Sequence, residues 1–245
     1  MPRFFVNRES ITDNTVMIAG DDSRHIARSL RMAVGDRVIV CDGSGDELLC
    51  RLAKIRDDIT ECEILSRGKS IVEPPYQLAL FMGYPKGDKL ETVIQKAVEL
   101  GATKIVPFES SRCVKRPDIK KSGERLPRLK RIAEEAAKQC GRATVPTVSL
   151  PLSFDEMLAQ ASKYQLALFC YEAEQSSSIK EQLSYFKLPP SSICVVIGSE
   201  GGFSEEEAQT ALSSGLLSVS LGKRILRCET APDYALSAIS YHFEL

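Results

Sequence analysis

Between Arg3 and Arg67 the apolar positions alternate with polar ones or come in short runs: Phe4-Phe5-Val6, Val16-Met17-Ile18, Val38-Ile39-Val40, Leu48-Leu49-Cys50 and Cys62-Glu63-Ile64-Leu65. Alternation with a period of two predicts half-buried strands, and Asp42-Gly43-Ser44-Gly45-Asp46 reads as a turn between two of them. One helix interrupts the strands. It has Asp21 or Asp22 as its cap and Ile26, Leu30 and Met32 on an apolar side, with Arg24, His25, Arg28 and Arg31 on or near another face. The pattern predicts a small β-barrel-like domain with one helix.

The polar, proline-containing stretch from Gly68 to Pro75 disfavours both helix and inner strand, which places a domain boundary near Val72 and divides the chain into residues 1–72 and 73–245. Beyond it, strand and helix alternate. Gln77 to Met82 predicts a strand, and Asp88 to Leu100 a helix with Leu90, Val93, Ile94, Ala97 and Val98 on its core face and Gly101 closing it. A strand at Lys104 to Phe108, a long helix from about Glu124 to Cys140 and a last helix from about Thr230 to Phe243 follow, the last with Ala231, Ala235, Ala238, Ile239 and His242 at helical spacing. Leu166 to Cys170 and Cys194 to Ile197 are nearly continuous in apolar residues, the mark of strands covered on both faces. The second domain is therefore expected to be α/β, and spacing alone draws it as an ordinary doubly wound sheet.

Composition narrows the partners more than the fold. With 43% hydrophobic and 27% charged residues the chain is not of a disordered or collagen-like class. No apolar run approaches the roughly 20 residues needed to cross a bilayer, and Met1 to Val6 leads straight into structured sequence, so a cytoplasmic location and no membrane partner are expected. The eight cysteines are scattered without a CxxC pair and there are only two histidines, so zinc-site spacing is missing and no metal is expected. Net charge is −1. The distribution is uneven, however: residues 112–142 hold 11 Lys and Arg against Asp118, Glu124, Glu134 and Glu135, a local excess that favours a phosphate-rich partner such as nucleic acid.

The candidate chemistry lies near the C-terminal end. Ile193 to Ile197 runs into Gly198-Ser199-Glu200-Gly201-Gly202 and restarts at Ser204 as an acid-rich helix, with Ser204 and Glu207 forming a capping box. No GK[ST] follows and the spacing is not GxGxxG, so the common phosphate and dinucleotide fingerprints fail. A plain strand-to-helix turn would account for the glycines. Against that reading, strand ends of open α/β sheets are where ligands bind, and glycines let a ligand reach backbone amides. Arg224, Arg227 and Glu229 sit together beside Gly222 and could handle a charged transition state, although an acid at a helix start is also favoured by the helix dipole alone. His25 reads as an ordinary surface or half-buried histidine, His242 as part of a packed terminal helix, and the cysteines, Cys228 included, as buried thiols rather than nucleophiles.

Several stretches in combination resemble the SPOUT class of RNA methyltransferases and, within it, the 16S rRNA (uracil-N3) methyltransferase family, RsmE. The matching pieces are Pro2-Arg3-Phe4-Phe5-Val6, His25 to Arg31 followed by Gly35-Asp36, Lys86-Gly87 ahead of Lys96 to Gly101, Glu135 to Arg142, Ile197 to Phe203 and Leu221 to Ala231. The last two are specific in combination. Cys228 stands where the family commonly has threonine and keeps the side chain small. The resemblance implies a PUA-like RNA-binding β-barrel domain, an α/β domain with a C-terminal trefoil knot, a homodimer, and S-adenosyl-L-methionine as cofactor. It also implies a cofactor site at Leu168, Glu172, Ile197, Gly198, Glu200, Gly201, Leu221, Gly222, Ile225 and Leu226. Arg227, Glu229 and Glu200 become the catalytic candidates. Arg3, Arg24, His25, Arg28, Arg31, Lys86, Arg112, Lys115, Arg116 and Arg142 become candidates for holding 16S rRNA or the small ribosomal subunit. A non-catalytic rRNA-binding assembly factor and a small-molecule α/β enzyme stay as alternatives, separable by cofactor affinity and by RNA dependence.

Overall fold

The structure, a computed structural model, describes residues 1–245 apart from the side chain of Ile119. The chain forms two compact units, Met1–Glu73 with Ala137–Val145, and Pro74–Ala136 with Pro146–Leu245. The sequence boundary near Val72 falls beside the first crossing at Glu73 and Pro74. Unlike that reading, Ala137–Val145 belongs with the N-terminal residues.

In the first unit, strands β1 (Arg3–Phe5), β2 (Thr15–Ala19), β3 (Arg37–Cys41), β4 (Asp46–Ile55) and β5 (Ile59–Lys69) form one sheet in the order β1-β3-β4-β5-β2. β1 pairs with β3 in parallel and the other neighbours are antiparallel. Register shifts at Leu49/Cys50 and Leu52/Lys54 increase the twist of β4. The inward residues Phe4, Val16, Ile18, Val38, Val40, Leu48, Cys50, Leu52 and Cys62 then meet in one core with Ile26. Helix α1 (Asp21–Arg24) continues as a π-helical turn over His25–Ser29. Its N-cap is Gly20, at φ 68°, and not Asp21 or Asp22, which lie in the first turn where their charge suits the helix dipole. The wider π turn also rotates Leu30 out of the expected apolar face, leaving it 39% exposed.

Arg142 is the main correction in this unit. Its side chain is 4% exposed, and its Nη2 donates to Glu73 Oε2 at 2.8 Å. Glu73 Oε1 also accepts from the backbone N–H of Ala143 at 2.8 Å and of Thr144 at 3.0 Å. A residue expected to grip RNA phosphates is thus a buried strut that ties Ala137–Val145 to the end of the first unit. Burial alone would raise the Glu73 carboxyl, but the Arg142 and Thr144 hydrogen bonds outweigh it and hold it below its ordinary value of 4.5. This stabilisation is present above that value and is lost as pH falls through the lowered one.

The second unit carries a six-stranded, all-parallel sheet of β6 (Gln77–Gly83), β7 (Lys104–Phe108), β8 (Thr147–Val148), β9 (Leu166–Cys170), β10 (Ser192–Ile197) and β11 (Leu217–Val219) in the order β11-β9-β10-β6-β7-β8. β9 and all but the first residue of β10 are buried, which explains their unbroken apolar runs. The helices are α2 (Lys89–Glu99), α3 (Ile119–Cys140), α4 (Phe154–Ala161), α5 (Ile179–Ser184), α6 (Glu205–Ser213) and α7 (Thr230–Glu244). α2 buries the five apolar residues named above, and Gly101 follows it at φ 89°, where glycine has no steric penalty. α3 begins five residues earlier than the expected Glu124, so Pro127 lies in its interior and not in its first turn. His242 is exposed instead of packed, with Nε2 3.3 Å from the Phe186 carbonyl.

Candidate active site

A cavity of about 640 Å³ opens beyond the carboxyl ends of β9, β10 and β11. That is the position where open parallel sheets bind ligands, and the volume is in the range of small-molecule sites, roughly 300–1,000 Å³. One wall is the turn after β10. Ser204 Oγ accepts from the N–H of Glu207, and the Glu207 carboxylate accepts from the N–H of Ser204 and of Ser111 at 2.9 and 2.7 Å. Phe203 is buried against Phe169, with ring centres 4.3 Å apart, so the end of the turn is pinned into the core. Gly202, at φ 64°, leaves space that the Glu172 carboxylate fills. A Cβ on Gly201 would meet the Arg112 carbonyl oxygen at 2.5 Å. The second wall is Ser220 to Glu229, a loop without regular structure that ends as α7 begins.

Charge in the cavity is arranged around one lysine. Lys89, the first residue of α2, places Nζ 3.1 Å from Glu200 Oε1 and 3.2 Å from Glu229 Oε2. The N–H of Lys86 donates to Glu200 Oε1 at 3.1 Å, and Cys228 Sγ donates to Glu229 Oε2 at 3.2 Å. Burial works to raise the Glu200 carboxyl, but hydrogen bonds from its own backbone, Lys89 and Lys86 bring it below the ordinary range. Glu229 is lowered chiefly by the Cys228 hydrogen bond, with its own N–H and Lys89 contributing. Both side chains are therefore anionic at neutral pH. Burial, together with the Glu229 carboxylate, pushes the Cys228 thiol up to about 12, so it stays a neutral donor and not a nucleophile.

The cavity is bordered by the candidate catalytic residues Arg227, Glu229 and Glu200, and by Glu172, Ile197, Gly198, Gly201, Leu221, Gly222, Ile225 and Leu226. Leu168 is not among the lining residues, because it is fully buried in the middle of β9. Ile225 stands 88% exposed. Arg224 and Arg227 are exposed and have no ion-pair partner among the described residues. Backbone amides, apolar side chains and three carboxylates suit a ligand with a hydrogen-bonding edge, an apolar face and a positive centre. Sequence reasoning missed Lys89, although it follows the noted Lys86-Gly87 pair and is a cation at a helix start, where an acid is the rule.

The RNA-binding candidates are less uniform. In the first unit Arg3 is mostly buried and donates to Glu47 at 2.9 Å, Arg24 is paired with Asp21 and Asp58, and Arg28 with Asp57 at 2.6 Å. His25 is exposed, as is Arg31, the one described non-glycine residue at positive φ, 51°. In the second unit Lys86, Arg112, Lys115 and Arg116 are exposed, and Arg116 lies 3.3 Å from Glu109. No cluster of three or more His, Cys, Asp or Glu is placed to hold a metal among the described residues, and none of their helices is long and apolar enough to cross a membrane.

Comparison with known proteins agrees over the whole chain. Residues 72–240 match the RNA methyltransferase domain family, and residues 18–65 match the RNA methyltransferase PUA domain. The ribosomal RNA small subunit methyltransferase E of Bacillus subtilis (strain 168) is 38% identical, covering 100% of this chain and 98% of the relative. Its counterpart in Synechocystis sp. (strain ATCC 27184 / PCC 6803 / Kazusa) is 34% identical over 97% of this chain and 77% of the relative. The crystal structure of the Neisseria gonorrhoeae ribosomal RNA small subunit methyltransferase E bound to S-adenosyl methionine has a TM-score of 0.86 at 31% identity, covering 99% of this chain and 98% of that one.

Proposed function

The chain belongs to the ribosomal RNA small subunit methyltransferase E family, and from that premise we propose that it uses S-adenosylmethionine to methylate N3 of a uridine in 16S rRNA. The observation that carries this reading is the shared cavity, in which the glycine turn, the apolar loop and a group of charged side chains border one space. Glu172, the Gly198–Gly202 turn, Leu221, Gly222, Ile225 and Leu226 would hold the cofactor. When bound, S-adenosylmethionine supplies an electrophilic methyl group on a positively charged sulfur. The chain must orient the acceptor ring, keep water away and remove the imide proton. Glu229, or Glu200 beside it, takes that proton onto its carboxylate, and Arg227 offsets the negative charge that then spreads to the uracil carbonyl oxygens.

The same reading places the C-terminal segment in a trefoil knot, supported by the 198–202 turn and the 220–229 loop bordering one cavity. It makes the enzyme a cytoplasmic homodimer, supported by exposed apolar surface at Tyr234 and Tyr241 on α7 and at Leu245 just after it. The direct test is to incubate the purified chain with S-adenosylmethionine and small-subunit RNA or particles and map the product by mass spectrometry. One 3-methyluridine in 16S rRNA is expected, and binding of the RNA without any methylation would favour the assembly-factor reading.

RNA affinity should fall steeply with salt as counterions are released. Lys115→Ala and Arg116→Ala should each reduce the slope of log K against log salt by about 1. Arg142→Ala should leave that slope unchanged and instead lower stability by about 3 kcal/mol, because it takes the only ion-pair partner among the described residues from the half-buried Glu73 carboxylate. An Arg142→Ala chain of normal stability and reduced slope would return that residue to the RNA surface.

A further inference from the structure

The start of α2 is poorly supported by its own sequence. Asp88 occupies the N-cap without making a side-chain cap hydrogen bond, and the first helical residue is a lysine, the wrong charge for the positive end of a helix dipole. A local choice that opposes the local rule marks a residue selected for something else. Here the compensation is outside the helix. The Lys89 ammonium reaches Glu200 on the turn after β10 and Glu229 at the N-cap of α7, at 3.1 and 3.2 Å, and lies 3.7 Å from Cys228 Sγ. Three separate segments are joined at one atom.

The two carboxylates are not held alike. Glu200 is gripped by the Lys86 N–H as well as by Lys89, so it is fastened to the chain just ahead of α2 from two directions. Apart from its own N–H, Glu229 receives side-chain donors alone, Lys89 and the neutral Cys228 thiol, beside the exposed Arg227. We propose that Lys89 is a positioning residue of the methyl-transfer site, a cation anchored on Glu200 that fixes the carboxylate of Glu229 in the cavity; this rests on the activity proposed above. Without the ammonium, two anionic groups would face one space with nothing between them, and mutual repulsion would favour protonating one of them. The other charged or titratable groups on the cavity wall are Cys170, Tyr171, Glu172, Lys223, Arg224, Arg227 and Cys228. Among the described residues, none of these cations lies within ion-pair distance of Glu200 or Glu229 to replace Lys89.

Lys89→Met and Lys89→Arg separate positioning from mere support. Carboxyl carbon NMR titration of the ligand-free chain should show Glu229 titrating about one pH unit higher in Lys89→Met than in the parent. In steady state, Lys89→Met should lose about 10- to 100-fold in kcat with KM for RNA and affinity for S-adenosylhomocysteine within about threefold. The acid limb of its rate profile should move to higher pH, since a carboxylate without its cation is protonated sooner. Lys89→Arg should recover most of the rate. In a Glu229→Gln background Lys89→Met should cost little more, because its target is already gone. Lys89→Gln serves in the same measurements if the methionine variant does not fold. An unmoved Glu229 titration, a kcat within twofold of the parent, or equal loss of rate and cofactor affinity in both Met and Arg variants overturns the proposal. A parent chain that binds cofactor but methylates no rRNA overturns the proposed activity instead, and the titration still reads the role of Lys89.

Discussion

Replacing Arg227 or Glu229 with alanine will lower the rate of rRNA methylation by at least about 100-fold while leaving the affinity for S-adenosylhomocysteine within about threefold. The two parts of this expectation have different origins. Cofactor affinity is assigned to the glycine turn, Leu221 and Leu226, whose backbone and apolar surfaces neither substitution removes. The rate depends on charge that changes only as the imide proton leaves, and a group that interacts only then acts on kcat and not on ground-state binding. Arg227 is exposed, and its carbonyl accepts from the N–H groups of Thr230 and Ala231, so its backbone is fixed at the start of α7 while its guanidinium is left for a substrate. Glu229 is ionised below the ordinary carboxylate range, so the rate should be level through neutral pH and decline only as pH falls through the lowered value. Calorimetry with S-adenosylhomocysteine and single-turnover methylation measure the two quantities separately. A Glu229→Ala enzyme within tenfold of the parent rate would shift the base assignment to Glu200.

How much of this site the sequence discloses depends on the range over which each residue acts. The Ser204–Glu207 capping box, the apolar face of α2 and the buried runs of β9 and β10 are legible because their causes lie within a few neighbouring residues. The meeting of Lys86 with Glu200 is not, since the two are 114 positions apart and only the parallel sheet brings them together. Arg142 misleads for the same reason: it closes a basic run, yet its environment is set by Glu73, 69 positions earlier. Leu168 misleads in the opposite sense. It lies near Glu172 in sequence, but strand geometry turns it into the core while Cys170 to Glu172 reach the cavity. Lys89 escapes a reading by sequence because the partners that explain a cation at a helix start, Glu200 and Glu229, lie far along the chain.

Gly83→Ala will lower the stability of the chain by about 1–3 kcal/mol and weaken S-adenosylhomocysteine binding by about tenfold or more, although Gly83 is not among the residues bordering the cavity. Gly83 is the last residue of β6 and is buried beside β10. A Cβ there would overlap the backbone nitrogen of Ser199 and come within 2.8 Å of the Gly198 carbonyl carbon. These are main-chain atoms of the glycine turn, held on one side by β10 and on the other by the buried Phe203 ring, so they cannot yield as a flexible side-chain end could. The added methyl must therefore move the floor of the proposed cofactor site or push β6 out of register with β10. Gly123→Ala provides the contrast, because Gly123 is an exposed residue within α3 and an added Cβ has nothing within 4 Å. There the same substitution should raise stability by about 0.5–1 kcal/mol through helix propensity, with cofactor affinity unchanged. Thermal melts and calorimetry on both variants decide the matter: a Gly83→Ala chain that melts and binds like its parent would mean that the turn after β10 adapts to strain, and that cofactor affinity does not depend on the close approach of β6 to its backbone.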